Sequence, residues 1–269
     1  MRARVRDNRS MNTGLSPQGI ALVTGAGSGI GRACAIALLH DGWTVWLVGR
    51  RVPALHETAV LADATQPGSL ARAHAHAADV GDPAQVQAVF DAVRAAHGRL
   101  DLLFNNAGIF TPTATPDAVA LEDWQRAVRT NLDGMFYCLR AAFALMREQR
   151  PQGGRIINNG SISAHTPRPG SIAYTATKHA ITGLTKAAAL DGRAFHIAVG
   201  QIDIGNVASD MTEAMAAGVL QADGSIRPEA RMDMDAVVQT FMTMARLPLQ
   251  ANVLFTTVLA TQMPFVGRG

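Results

Sequence analysis

The sequence of 269 residues predicts a single α/β domain, a doubly wound parallel sheet of about seven strands with helices on both faces. Three observations carry that expectation. Short apolar runs of strand length alternate with longer segments of helical apolar spacing, the first run ends in a glycine-rich turn that opens a helix, and the body contains neither internal repeats nor linker-like composition. Strands connected through helices run parallel and place ligands at their carboxyl ends.

The elements follow in order. Residues 20–24, IALVT, form the first strand; GAGSGIG is the turn, and RACAIALLHDG is a helix that closes on a glycine. WTVWLVG (43–49) is the second strand, followed by a polar, alanine-rich stretch. HAADV (76–80) and DLLFNNAG (101–108) are the next strands, with helical segments between them. DWQRAVRTNLDGMFYCLRAAFALMREQ (123–149) has long helical periodicity, GRIINNGS (154–161) is a strand, and YTATKHAITGLTKAAAL (174–190) is a helix. HIAVGQI (196–202) and NVLFTTVLA (252–260) supply the last strands. Residues 206–232, rich in methionine, small residues and glycine, break this rhythm and read as an irregular surface connection or as a lid over a pocket.

Composition narrows the class. A hydrophobic content of 48% supports a substantial core, and the two cysteines, Cys34 and Cys138, lie far apart in apolar, helix-like surroundings, as free buried thiols in a reducing compartment do. No spacing suggests a metal site. No apolar run reaches the ~18 residues of a membrane span, and no apolar stretch follows the N-terminal arginines, so a soluble, cytoplasmic protein is expected. The formal charge of +3 is carried entirely by residues 1–10, MRARVRDNRS. Residues 1–18 are expected to be a flexible basic leader, with Met11 as an alternative start and residues 19–269 as the domain. Charge therefore argues for neither a nucleic-acid nor a membrane partner.

In TGAGSGIG, Gly25, Gly29 and Gly31 let the chain leave the strand tightly, approach a ligand with bare backbone and pack the next helix on the sheet. The helix N-terminus then offers free N–H groups to a pyrophosphate. This spacing differs from G-x-G-x-x-G and resembles the TGxxxGIG pattern of the short-chain dehydrogenase/reductase family. The resemblance continues through NNAG at 105–108, Asn131 in TNLDG, Ser161 and the Y-x-x-x-K of Tyr174 and Lys178, covering roughly residues 20–210. It implies a Rossmann-like fold and direct hydride transfer between a nicotinamide and a small-molecule carbonyl or secondary alcohol. It also implies a homodimer or homotetramer, without nucleic acid, membrane or metal.

By matching position, the resemblance assigns Gly25, Ser28, Gly29, Ile30, Gly31, Asn105, Ala107, Gly108, Tyr174, Lys178, Ile204 and Ser209 to the cofactor, with Asp79 and Val80 as the adenine-contacting pair. Asp79 reads equally as a helix cap, and Asn105 as a strand-stabilising amide. NAD-using members typically carry a carboxylate after the second strand. Here Gly49 stands in its place, followed by Arg50 and Arg51, which can pair with a 2′-phosphate. NADP(H) is therefore favoured, with NAD(H) as the alternative. Two solvated arginines would read the same, and Ser28 occupies a position where some NADP-binding relatives carry a basic residue.

Tyrosine and lysine are scarce, with two of each, yet Tyr174 and Lys178 meet at i and i+4 on one helical face. An unperturbed phenol titrates at about 10. A neighbouring ammonium is expected to lower that value and suit the phenol to acid–base work. Ser161, 13 residues before Tyr174, would hydrogen-bond the substrate oxygen, with Ser163 as a second polar wall. By resemblance, Asn131 holds a helix bend and a water that relays protons from Lys178. His165 and His179 receive no catalytic role.

The pattern departs from the family after the sixth strand. QIDIGNVAS has Ile204 in place of a proline and Ser209 in the place of a threonine. The C-terminal stretch lacks the family's DGG and resembles members acting on hydroxy acids and small alcohols, including serine and 3-hydroxy acid dehydrogenases; its last strand and MPFVGRG could reach a neighbouring subunit. Pocket walls are expected from 110–116, 162–172 and 206–232. Their charges, Arg168, Asp210, Glu213, Asp223, Arg227, Glu229 and Arg231, read as lid surface or as substrate anchors. The leading expectation is an NADP(H)-dependent carbonyl reductase or alcohol dehydrogenase. The alternatives are an NAD-dependent dehydrogenase of a small hydroxy acid or alcohol, and a non-catalytic NADP(H)-binding sensor or scaffold. An epimerase would need a larger C-terminal domain, and an enoyl reductase a wider Tyr–Lys spacing.

Overall fold

Continuous apolar runs become strands covered on both faces. The computed structural model describes residues 19–266 except 210, 211 and 214–217; the basic leader and the last three residues of MPFVGRG lie outside the described residues. The strands are β1 (Ile20–Thr24), β2 (Thr44–Gly49), β3 (Ala73–Ala77), β4 (Leu102–Asn105), β5 (Gly154–Asn159), β6 (Ile197–Ile204), β7 (Val219–Leu220), β8 (Ile226–Arg227) and β9 (Phe255–Val258). The helices are α1 (Gly29–His40), α2 (Val52–Thr65), α3 (Pro83–His97), α4 (Leu121–Ala127), α5 (Gly134–Glu148), α6 (Ile172–Gly192) and α7 (Met234–Arg246).

Seven strands form one parallel sheet in the order β3-β2-β1-β4-β5-β6-β9, a Rossmann-like arrangement. The winding reverses between β1 and β4, so a crevice opens at their carboxyl ends. Successive residues of β4 face opposite layers. Phe104 packs with Phe241 of α7, ring centroids 4.4 Å apart, in the layer that also holds Leu38 of α1 and Leu55 of α2. Leu103 belongs to the other layer, with Phe90 of α3 and Leu145 of α5. Cys34 and Cys138 are buried and free, one in each layer, and burial pushes both thiols up, that of Cys138 to about 12. Among the described residues no helix is long and apolar enough to cross a membrane.

Four elements differ from the sequence expectation. The third strand lies at 73–77 rather than 76–80. AHAHA is a half-exposed edge strand with a weak apolar signal, while Asp79 and Val80 belong to the turn beyond it. The long helix at 123–149 is divided by a π-helical turn at Val128–Asp133, where Asn131 sits, as the expected bend requires. The small antiparallel hairpin β7–β8 within 206–232 was not foreseen, since two-residue strands carry no periodicity. β6 runs through Ile204, two residues further than expected, because the parallel ladder with β9 extends that far; Ile204 pairs with Val258.

Arg155 on β5 is fully buried and holds the turn leading to β9. One terminal nitrogen donates to the carbonyls of Leu247, Pro248 and Ala251 at 3.1, 3.2 and 2.8 Å, and the other to Asn252 Oδ1 at 3.1 Å. Burial draws its pKa down to about 10. Arg155→Met removes these donors and leaves the acceptors unpaired. It is expected to destabilise the fold by about 3 kcal/mol, measured by urea denaturation.

Candidate active site

Thr24, at the end of β1, ties the crevice together. Its hydroxyl accepts the N–H groups of Asn106 and Ala107 at 2.8 and 2.9 Å, and its carbonyl accepts Asn106 Nδ2 at 2.9 Å. The turn beyond it needs glycine: Gly25 and Gly29 have φ of 67° and 50°, and a Cβ on Gly31 would overlap the Gly25 carbonyl oxygen. α1 begins at Gly29, and Ser28, its N-cap, makes no side-chain capping bond, so the helix end faces the crevice with donors to offer.

Two hollows of about 210 and 140 Å³ meet here and share Gly25, Ser28, Ala107, Gly108 and Ile109 as common wall. The smaller is bordered by Gly49, Arg50, Arg51, Asp79 and Val80. The larger contains Ile30, Ser161, Ser163, Tyr174, Lys178, Ile204 and Ser209. A continuous trough thus runs from a pair of exposed arginines, past a glycine cradle, to a tyrosine and lysine. That sequence of surfaces fits a dinucleotide. Among the described residues neither Arg50 nor Arg51 forms an ion pair, which leaves both guanidinium groups available.

At the far end, α6 presents Tyr174 and Lys178 together. Lys178 Nζ lies 5.5 Å from the centre of the Tyr174 ring and donates to the Asn159 carbonyl at 2.8 Å. The Ser161 hydroxyl is hydrogen-bonded to the Tyr174 phenol and accepts the Ser163 N–H at 3.1 Å. The Phe110 ring packs against the Tyr174 ring at a tilt of 48°, centroids 4.5 Å apart.

Two expected site residues stand behind the walls. Asn131 is buried: its Oδ1 accepts the Ile109 N–H at 2.8 Å, and its Nδ2 donates to the Ile109 carbonyl at 3.0 Å and to Thr177 Oγ1 at 3.4 Å. It therefore clamps the loop after β4. Asn105 donates to the Met135 carbonyl at 2.7 Å and to Asn158 Oδ1 at 3.4 Å; of its two expected roles the structure shows the strand-stabilising one, because β4 turns its amide beneath the trough. Asp79 is not the helix cap. It accepts the Gly81 N–H and pairs with Arg129, whereas Asp82 caps α3. His179 bonds back to the Thr175 carbonyl and faces solvent.

A family model described as short chain dehydrogenase matches residues 19–219. The chain belongs to the short-chain dehydrogenase family. It is 39% identical to a 3beta-hydroxysteroid dehydrogenase of Mediterraneibacter gnavus over 64% of this chain, a match that spans 60% of that protein's length. Among solved structures, L-sorbose reductase from Gluconobacter frateurii, complexed with NADPH and L-sorbose, superposes with a TM-score of 0.81 and 28% identity, covering 94% of this chain and 99% of the other. A 3-ketoacyl-(acyl-carrier-protein) reductase from Brucella melitensis, complexed with NADH, gives 0.78 and 25%, covering 91% and 98%. Short-chain dehydrogenases are oxidoreductases that act on hydroxyl and carbonyl groups with a nicotinamide dinucleotide.

The electrostatics of this short-chain dehydrogenase correct one expectation. The Tyr174 phenol is not lowered by its lysine. Burial pushes it up to about 12, although the Ser161 hydroxyl and the Arg168 guanidinium pull against that. Burial likewise draws Lys178 down to about 8, with Asp203 opposing. Sequence reasoning passed over Asp203, although a carboxylate inside the apolar run IAVGQIDI was a legible signal. Phe110 and Thr212 line the larger hollow within the expected walls at 110–116 and 206–232, without having been singled out there.

Lys178 provides a direct check. Its folded pKa lies below the ordinary 10.5, so the folded state bears the cost of a buried ammonium below about pH 8 and is relieved of it as pH rises from about 8 to 10.5. Lys178→Met abolishes that cost. The variant is expected to exceed wild type in stability by up to about 3 kcal/mol at pH 7, and by less at pH 9.5, in paired urea denaturations.

Proposed function

We propose that the protein is an NADP(H)-dependent carbonyl reductase or alcohol dehydrogenase that uses Tyr174 as its general acid, with Ser161, Lys178 and Asn131 completing the site. The observation that carries this reading is the single cavity in which Tyr174, Ser161 and Lys178 converge beside the glycine cradle. When bound, the nicotinamide dinucleotide supplies the hydride. Tyr174, protonated at neutral pH because of its raised pKa, holds the proton for the substrate oxygen. The Ser161 hydroxyl, already bonded to that phenol, donates to the same oxygen as negative charge develops. The Lys178 ammonium stabilises the phenolate left behind, and its draw toward 8 places its own proton exchange near working pH. Asn131 keeps the Ile109 loop in place beneath the cofactor.

Arg50 is assigned to the 2′-phosphate, because it is exposed at the mouth of the smaller hollow where Gly49 leaves no carboxylate to repel a phosphate. Arg51, Asp79 and Val80 complete that end, and residues 206–232 serve as the lid over the other. A cytoplasmic homodimer or homotetramer belongs to this reading; the exposed apolar side chains Phe136 on α5 and Leu190 on α6 support self-association.

Nicotinamide fluorescence titration tests the cofactor. NADPH is expected to bind at least tenfold more tightly than NADH, and Arg50→Ala to erase the difference; equal binding of both by wild type contradicts the assignment. A screen of ketones with NADPH tests the chemistry. Tyr174→Phe is expected to lower kcat at least a thousandfold while the dissociation constant for NADPH changes less than threefold.

A further inference from the structure

Asp203 is a carboxylate in the interior strand β6, and no sequence expectation assigns it a role. It is fully buried. Oδ1 accepts the Ser161 N–H at 2.9 Å and Gln201 Nε2 at 2.7 Å, while Oδ2 meets His165 Nε2 at 2.8 Å. The fit is close enough that a Cβ on Gly160 would fall on Oδ1, so the residue before Ser161 has to be glycine. Burying a carboxylate costs several kcal/mol unless it is paired, and such groups persist where they organise a site.

The surroundings of Asp203 are specific. From the turn after β5 come Ser161 and His165, and α6 brings Tyr174 and Lys178 within its field. Arg168 also acts on Tyr174, but is paired with Glu229. From β9 the register partner is Thr257, which carries no charge. Asp203 thus has Lys178 and His165 as its neighbouring cationic or protonatable nitrogen groups.

We propose that Asp203 is a positioning residue of this site: its carboxylate fixes the backbone of Ser161 and turns negative charge toward the Tyr174–Lys178 pair, with His165 closing its outer oxygen. The field opposes what burial does to Lys178 and adds to what burial does to Tyr174. Both effects keep protons on the pair, which favours protonating a carbonyl oxygen over abstracting a proton from an alcohol. The catalytic part of this inference rests on the reductase reading above; the electrostatic part does not.

The chain has only two lysines, Lys178 and Lys186, so full-length protein labelled with 13C-lysine gives two titrating signals, assigned with Lys178→Met. In Asp203→Asn, which keeps an oxygen for the Ser161 N–H, the Lys178 midpoint is expected to fall by about one pH unit while Lys186 stays fixed. In His165→Ala, at a half-exposed position, the carboxylate loses its outer partner and the Lys178 midpoint is expected to rise by a few tenths. An unchanged Lys178 signal in His165→Ala and in folded Asp203→Asn overturns the proposal, and if Asp203→Asn does not fold, His165→Ala alone decides. With a ketone found by the NADPH screen, Asp203→Asn is expected to lower kcat about tenfold at pH 8, shift the alkaline limb of the profile downward, and leave KM for NADPH within twofold. A profile that superposes on wild type would reduce Asp203 to a structural residue. Absence of turnover in wild type, with the Lys178 shift present, would count against the reductase reading and not against the positioning role.

Discussion

The site depends on a chain of buried hydrogen bonds laid across the carboxyl ends of the central strands. Asn105 on β4 donates to Asn158 on β5, Asn158 donates to Thr185 on α6 at 3.0 Å, Thr185 donates to Gln201 on β6 at 3.0 Å, and Gln201 donates to Asp203. Asp203 then receives the Ser161 N–H. A parallel branch runs from Asn159 through Asn106 to Thr24 on β1. Polar groups buried at this depth are costly when unpaired, so a slip of any one strand would orphan several of them together. Apolar packing of the two layers tolerates small adjustments that this chain does not. The register of β1, β4, β5 and β6, and the seating of α6 against them, is fixed at the end of the sheet where the chemistry is placed.

That division explains what could be read in the sequence. Strand–turn–helix at 20–40 was legible because the turn needs glycine at φ values other residues avoid, and because buried parallel strands are written as unbroken apolar runs. The positions of Ser161, Tyr174 and Lys178 were legible as a pattern, and the structure brings them into one cavity. What escaped depends on the third dimension. The π-helical turn at Val128–Asp133 leaves helical periodicity almost intact, and the β3 edge strand is too short and too exposed to declare its bounds. The direction of the Tyr174 shift was misjudged because spacing reports that a cation is near and says nothing about how much water is lost.

Lys178 is a costly side chain to bury. Among the described residues its ammonium donates to a neutral carbonyl, and the Asp203 carboxylate acts on it through space. A hydrophobic side chain would sit there at lower free energy. Arg155 is the structural counterpart, a buried cation without a carboxylate partner among the described residues, which spends its donors on four acceptors in the turn before β9. Two buried cations thus differ in kind. One locks a loop by satisfying its carbonyls, and the other stands beside Tyr174 with burial drawing its pKa down.

Ile204 ends β6, and the segment 206–232 departs from there. The ladder to β9 ends just beyond Ile204, where the Gly205 N–H donates to the Val258 carbonyl at 2.8 Å. Backbone bonds then tie Ala208 to Met232 and Met232 to Asn206, so both ends of the 206–232 segment are stitched together at its base. Burial pushes the Glu229 carboxyl up, yet bonds from Asn206 and Gln221 and the charge of Arg168 together hold it below its ordinary range. Arg168 lies on the loop before α6, which also carries His165. The 206–232 segment is therefore cross-linked by a buried ion pair to the loop before α6, and a change in either segment is transmitted to the other through Arg168 and Glu229.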